Sequence, residues 1–257
     1  MAWRPTEGLA GRETVMTVVF VHGACVRDGE WWWSRVATAL RADGLDSVAV
    51  RLPSCGEVPG AAPDFAADVA ETRRVLREVG PAVLVGHSYG GVVATEAAGR
   101  SEAAVGDSEV GGDVRHLVYV SSFLPDVGQS LADLGPGEPA PHLDFSPDGT
   151  FGVRRESLRD LFLYDCDEQA AEGALARLTR QPAAVLTAPV QHAGWRHRPS
   201  TAIVCAGDRA TPPALQRAQA ARASRVVELP TGHHPMLSHP QLLAAALRDV
   251  AQRPNQP

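Results

Sequence analysis

Apolar positions in this chain follow two rhythms, short runs in which almost every residue is apolar and longer stretches in which apolar residues recur every three to four positions. The runs read as strands buried on both faces, the stretches as helices packed on them. Thr14–Val21 is the first such run, and Trp31-Trp32-Trp33 then lead into a helix through Val36 and Leu40 that stops at Gly44. At least one tryptophan is expected in the core. Ser47–Leu52 gives a second strand, broken by Pro53 and a Gly/Pro-rich loop to Pro63. Asp64 is placed to cap a helix whose Phe65, Val69, Thr72, Leu76 and Val79 share one face, and Gly80-Pro81 ends it. The run Ala82–Val85 follows at once, then a helix through Val92, Val93 and Ala97, and a strand at His116–Val120. Alternation of strand and helix predicts an α/β fold with a doubly wound, mostly parallel sheet and a site at the strand C-termini.

Beyond Pro125 the alternation stops. Prolines and glycines cluster between 135 and 149, and helical patterns appear only around Ser157–Tyr164 and Glu168–Arg180. This stretch, to about Pro199, is expected to be a mainly helical cap inserted over the sheet edge, where Leu, Phe and Trp195 would exclude water from an apolar pocket. Strand pattern returns at Thr201–Ala206 and Arg225–Leu229, separated by a helix at Pro213–Ala221 and closed by one at Gln241–Gln252. The reading is one domain over 1–257, with its core at 14–124 and 200–253 and the cap at about 125–199. Residues 1–13 read as a loose leader, and Ser101–Asp113, acidic and rich in glycine, as a surface loop.

Composition narrows the function. A chain of 257 residues, 44% hydrophobic, can bury a full-sized core, and a formal charge of −6 with no basic block argues against nucleic acid or an anionic membrane as partner. A small, neutral or apolar substrate fits better. The run Val15–Val21 is too short to span a bilayer and Met1–Glu13 lacks signal-peptide order, so a cytoplasmic location is expected. Cys25, Cys55, Cys166 and Cys205 are scattered, without C-x-x-C, and read as reduced packing residues. No metal and no cofactor is expected, and monomer and homodimer both stay open.

The candidate chemistry centres on Gly86-His87-Ser88-Tyr89-Gly90-Gly91, which joins a strand to a helix. Glycines at both flanks permit a turn so sharp that Ser88 would stand exposed at the sheet edge as a nucleophile, with the Tyr89 amide beside it. His22-Gly23-Ala24 ends the first strand, and the Ala24 amide is the natural second donor to a developing oxyanion. A serine hydroxyl needs an imidazole to take its proton and a carboxylate to orient that imidazole. Asp208 and His233 each follow a predicted strand, giving the order Ser88, Asp208, His233. Asp126 and His234 are the competing acid and base. His22 and His87 read as residues that shape the loops around the oxyanion site, and the histidines as a set lack metal-ligand spacing.

With Val21-His22-Gly23-Ala24-Cys25, the serine motif, Phe123-Leu124-Pro125-Asp126-Val127-Gly128-Gln129-Ser130, Cys205-Ala206-Gly207-Asp208 and Gly232-His233 in view, the chain resembles the α/β-hydrolase superfamily. Within it the resemblance is to the small-esterase branch of plant methylesterases, hydroxynitrile lyases and their bacterial relatives, over most of 15–250. The resemblance implies Ser88 as nucleophile, Asp208 as acid, His233 as base, the amides of Ala24 and Tyr89 as oxyanion hole, and hydrolysis of a small, largely apolar ester, lactone or thioester through an acyl-enzyme. Lyase members carry threonine where this chain has Gly23 and lysine where it has His234, which speaks against lyase chemistry and leaves His234 as the one group there able to carry positive charge. A non-hydrolytic binder, or a lyase or cyclase, is the alternative.

Overall fold

A computed structural model describes residues 16–99, 112–135 and 140–254 of the chain. The expected leader, Thr14 and Val15 of the first strand, and nearly all of the Ser101–Asp113 loop lie outside the described residues. The order begins β1 (Thr17–Val21), α1 (Gly29–Ala42), β2 (Ser47–Ala49), α2 (Phe65–Val79), β3 (Ala82–His87), α3 (Tyr89–Ala97) and β4 (Val114–Val120). The cap region follows, with α4 (Leu131–Leu134), β5 (Leu143–Phe145), β6 (Thr150–Val153), α5 (Arg155–Leu161), α6 (Glu168–Leu175), β7 (Gln181–Pro182) and α7 (Ala184–Thr187). The chain returns through β8 (Ser200–Cys205), α8 (Pro213–Ala220), β9 (Arg225–Leu229), α9 (Pro235–Ser238) and α10 (Pro240–Gln252).

Six strands form one parallel sheet in the order β2-β1-β3-β4-β8-β9. Period-two alternation splits its side chains between two cores. Val18, Phe20, Val83, Val85, Val118 and Val120 face α1 and α10, where Phe20 stacks on Trp33 with ring centroids 4.2 Å apart. Val19, Val21, Leu84, Leu117 and Tyr119 pack instead with Leu76 of α2 and Val92 and Val93 of α3. Both faces are covered, which is why these strands read as nearly unbroken apolar runs. Trp32 and Trp33 are buried, meeting the expectation for the core, while Asp64 caps α2 by accepting the Ala67 amide at 2.8 Å.

Strand β2 ends at Ala49, short of the expected Leu52, and two features of the cap differ from expectation. Strands β5, β6 and β7 form a small antiparallel sheet in a segment expected to hold none. At two to four residues each they are too short for a period to emerge, and the breakers Pro147 and Gly149 are the turn of the β5–β6 hairpin, with Gly149 at φ 81° and the Asp148 carboxylate accepting the Thr150 amide at 2.9 Å. The helix expected over Glu168–Arg180 ends at Leu175. Its last residues extend along the loop after β1, pairing Val26 with Leu178.

Chain order places β2 on one side of β1 and β3 on the other, so the crevice where such sheets bind ligands lies at the ends of β1 and β3. Val21 pairs with Gly86 and His87 with Val120, which sets the loops beginning at His22, Ser88 and Ser121 side by side. Close approach there depends on glycine. A Cβ on Gly90 would stand 2.3 Å from the Val21 carbonyl oxygen, and one on Gly86 would stand 2.5 Å from Gly91 Cα. Gly90→Ala is therefore expected to destabilise the protein by at least the about 1–3 kcal/mol typical of overpacking, since backbone rather than a flexible side chain must yield. Thermal unfolding checks this, and a melting temperature equal to wild type would contradict it.

Candidate active site

Ser88 joins β3 to α3 with φ 51° and ψ −123°, a conformation that L residues rarely adopt. Its amide donates to the Val120 carbonyl at 3.2 Å, and its carbonyl accepts from Ser122 Oγ at 2.6 Å and from the Gly91 amide at 3.0 Å. These bonds hold the strained turn from both sides. Tyr89 opens α3, so its amide is among the first-turn N–H groups that have no acceptor within the helix, at the positive end of the helix dipole.

Asp208 and His233 meet directly. His233 Nδ1 lies 2.8 Å from Asp208 Oδ2, and a carboxylate acceptor assigns the proton to Nδ1, leaving Nε2 with a free lone pair. Asp208 Oδ1 accepts the amides of Ala210 and Thr211 at 2.8 and 2.9 Å, and Oδ2 accepts Gln216 Nε2 at 2.9 Å. Burial pushes this carboxyl up, but His233 and the surrounding donors outweigh it and hold it below the usual carboxylate range. Ser121, at φ 43° just past β4, also donates to Asp208 Oδ2 and lies 3.1 Å from His233 Nδ1. A serine, a histidine and an aspartate are thus hydrogen-bonded together, and Ser121 is the member that sequence reasoning missed. Its only signal was its place at the end of a central strand.

The competing residues have other partners. Asp126 sits at the surface with Arg196, whose Nε donates to it at 2.7 Å, and the neighbouring Pro125 carbonyl accepts Trp195 Nε1 at 2.8 Å. His234 is buried, and donates Nδ1–H to the Phe162 carbonyl at 3.0 Å. Burial, helped by the nearby His233, lowers it to about 3, so its ring is neutral at pH 7. His87 donates Nε2–H to the His233 carbonyl at 2.9 Å, and burial with His233 and His234 beside it pushes its ring well below the usual histidine range.

The loop after β1 is built on a carboxylate. His22 donates Nε2–H to Glu57 Oε2 at 2.6 Å, and Glu57 also accepts the amides of Asp28 and Leu52 at 2.7 and 2.8 Å. Burial would raise Glu57, but His22 and these amides bring it below its ordinary value. Gly23 faces the serine turn, where a Cβ would meet His87 Nδ1 at 3.1 Å and Ser88 Cβ at 3.3 Å. Cys25, Cys55 and Cys205 are buried free thiols and Cys166 is half-buried, in keeping with packing roles.

Ser88, His233, Ala24 and Tyr89 all line one cavity of about 1120 Å³. Its walls are mainly apolar, from Trp32, Phe123, Phe151, Phe162, Leu158 and Leu215 among others, and the only Asp, Glu, Lys or Arg among the described lining residues is Arg209. That guanidinium lies 3.7 Å over the Tyr164 ring and donates to the Asp160 carbonyl at 3.2 Å. Three buried histidines, His87, His233 and His234, present ring nitrogens within 4.8 Å of one another, but two of the rings are tied to backbone carbonyls and the third to Asp208. No helix among the described residues is long and apolar enough to cross a membrane.

Residues 18–246 match the model of the alpha/beta hydrolase family. The chain belongs to that family. It is 30% identical to the alpha/beta hydrolase nvfD of Aspergillus novofumigatus over 244 residues, 91% of this chain and 96% of that protein. Methylesterase 8 of Arabidopsis thaliana is 30% identical over 118 residues, 44% of this chain and 39% of that one. Among solved structures, a pyrethroid hydrolase from Sphingobium faniae JZ-2 superposes with a TM-score of 0.76 at 25% identity, covering 93% of this chain and 98% of the other. The chain therefore stands with the esterase branch, related to plant methylesterases and microbial hydrolases.

Buried neutral histidines make stability depend on pH. An unfolded histidine titrates near about 6.5, so below that value the unfolded chain binds protons that the folded chain refuses. The contribution of His234 is complete above about 6.5 and falls away as pH drops toward about 3, by at most about 1.4 kcal/mol per pH unit. Urea midpoints between about pH 7.5 and about pH 4.5 are expected to fall less steeply in His234→Asn than in wild type. Equal slopes would contradict this account.

Proposed function

We propose that the protein is a serine hydrolase that cleaves an apolar, uncharged carboxylic ester, lactone or thioester through an acyl-enzyme. The carrying observation is the strained, glycine-flanked turn of Ser88 on the wall of the cavity that also holds His233, with His233 Nδ1 locked onto Asp208. That lock supports different parts for the two serines. Ser121 lies on the Nδ1 side of the ring, where the proton is already committed, so the group that takes a proton, Nε2, is left for Ser88.

In this reading Ser88 Oγ attacks the acyl carbon while His233 Nε2 takes its proton and Asp208 stabilises the imidazolium. The carbonyl oxygen, now an oxyanion, is received by the amides of Ala24 and Tyr89. His233 returns the proton to the departing alkoxide or thiolate, then deprotonates water to free the acid and regenerate Ser88. The neutral ring of His234 and the glycine at 23 support hydrolysis over cyanohydrin cleavage, since neither offers the charged or hydroxyl partner that the lyase members of the superfamily use.

Cavity size refines the substrate. Ligand sites of about 300–1,000 Å³ enclose drug-sized molecules, so about 1120 Å³ suits an ester with bulk on both sides of the carbonyl better than a short acyl chain. The same volume also suits a protein that binds an apolar molecule without turning it over, which is the second reading. Exclusion of nucleic acid belongs to the proposal too, supported by the charge of −6 and the absence of a basic block, and a cytoplasmic location and function as a monomer or homodimer are proposed with it.

Wild type is expected to label with a fluorophosphonate and to show a burst with chromogenic esters, and Ser88→Ala to lose both, with kcat down by at least about 10³-fold. Labelling and turnover that persist in Ser88→Ala would overturn the assignment, and submicromolar ligand binding without any burst would favour the binder. Across a series of p-nitrophenyl esters, kcat/KM is expected to rise from acetyl to medium and aryl acyl groups and to collapse for a succinyl group, whose carboxylate would have to lose its hydration shell in an apolar wall. A preference for acetyl, or for the charged acyl group, would contradict the assignment of the cavity.

A further inference from the structure

The residue that follows Ala24 is held entirely by the cap. Cys25 has φ 60°, unfavourable for a side-chain-bearing residue, and each of its polar groups has a cap partner. Its amide donates to Gln181 Oε1 at 3.1 Å, its carbonyl accepts the Thr179 amide at 2.9 Å, and its thiol donates to the Phe151 carbonyl at 3.6 Å. The thiol is a donor because burial raises it to about 12, keeping the proton on sulfur.

Gln181 itself is fully buried, and both ends of its amide are used. The Cys25 amide can only donate, so Oε1 faces it and Nε2 donates to Ser54 Oγ at 2.7 Å. Ser54 Oγ donates to Asp68 Oδ2 at 2.5 Å, and that carboxylate oxygen also accepts from Tyr89 Oη at 2.7 Å. One buried chain of hydrogen bonds therefore runs from Cys25 through Gln181, Ser54 and Asp68 to Tyr89. Its two ends adjoin or carry the two amides, Ala24 and Tyr89, assigned to the oxyanion.

We propose that Gln181 is a positioning residue for the oxyanion hole, coupling the docked cap to the aim of the Ala24 and Tyr89 amides. This rests on the hydrolase reading given above. Gln181 touches no reacting atom. It fixes Cys25 in its left-handed conformation and with it the Ala24–Cys25 peptide, which joins through the Ala24 Cα to the Gly23–Ala24 peptide that carries the Ala24 amide. An unsatisfied Cys25 amide is costly in a dry interior, which favours a rotated peptide whose N–H finds another acceptor.

Three proteins test this with one ester and one trifluoromethyl ketone, which forms an oxyanion on Ser88 when it binds. Turnover and fluorophosphonate labelling by wild type establish the hydrolase reading independently, and their absence is a failure of that reading alone. Gln181→Met keeps the volume and loses both hydrogen bonds. It is expected to lower kcat about tenfold or more, short of the about 10²–10³-fold cost of losing a whole donor. KM should stay within about threefold, with trifluoromethyl ketone affinity falling in step with kcat/KM. Gln181→Glu keeps an oxygen for the Cys25 amide and is expected to recover most of kcat. Because it retains the polar contact, it carries the test if the methionine variant does not fold. Unchanged kcat and ketone affinity in Gln181→Met would overturn the proposal. So would a loss confined to KM or melting temperature, or a Gln181→Glu protein with kcat as low as or lower than a folded Gln181→Met, or down about tenfold on its own.

Discussion

The close approach of α3 to the last residues of β1 is the constraint from which the site follows. Gly90 must lie where any Cβ would enter the Val21 and His22 carbonyls, and Gly86 and Gly91 must pass each other equally closely. Only then does the turn carry Ser88 at φ 51° on the rim of the sheet, beside the loops that follow β1 and β4. Tertiary packing over two covered faces supplies the stability that holds this backbone strain. A looser contact at Gly90 would leave the same residues in the chain but not the same cavity wall.

Charge at the site is arranged by sharing. Asp208 remains a carboxylate in a buried position because five donors converge on it, and one of them, His233, is thereby given a fixed tautomer. The two histidines packed around His233 are kept neutral, so no second cation competes with an imidazolium forming there. Glu57 plays the corresponding part for the loop after β1, where one side chain satisfies the start of α1, the end of the β2 segment and His22.

Much of this was legible because it is local. Buried parallel strands write themselves as apolar runs, Asp64 and Gly80 mark the ends of α2, and a glycine-flanked serine between strand and helix admits few conformations. The cap was only half legible. Its sheet strands are shorter than the window in which a period shows, and Arg177–Gln181 continues a helical pattern while being drawn into extended structure by the loop it meets. Ser121 and Gln181 stayed hidden for a related reason, since a buried polar side chain declares its role only through partners more than a hundred positions away or on other strands. The neutrality of His234 was hidden too, since it comes from packing against Phe162 and Trp32, residues far away in the chain.

The cap is fastened at the places where the site is most exacting. Besides its grip on Cys25, Tyr164 Oη donates to the Gly207 carbonyl at 2.7 Å, one residue before Asp208, and Asp165 accepts the Gly232 amide at 2.6 Å, one residue before His233. Swinging the cap away as a rigid body would strip a partner from each of these loops together, at about 1–3 kcal/mol for every group left dry and unpaired. The loops that carry Cys25, Asp208 and His233 therefore share one anchor, the docked cap, so a disturbance of the cap at any one of them is felt at the other two.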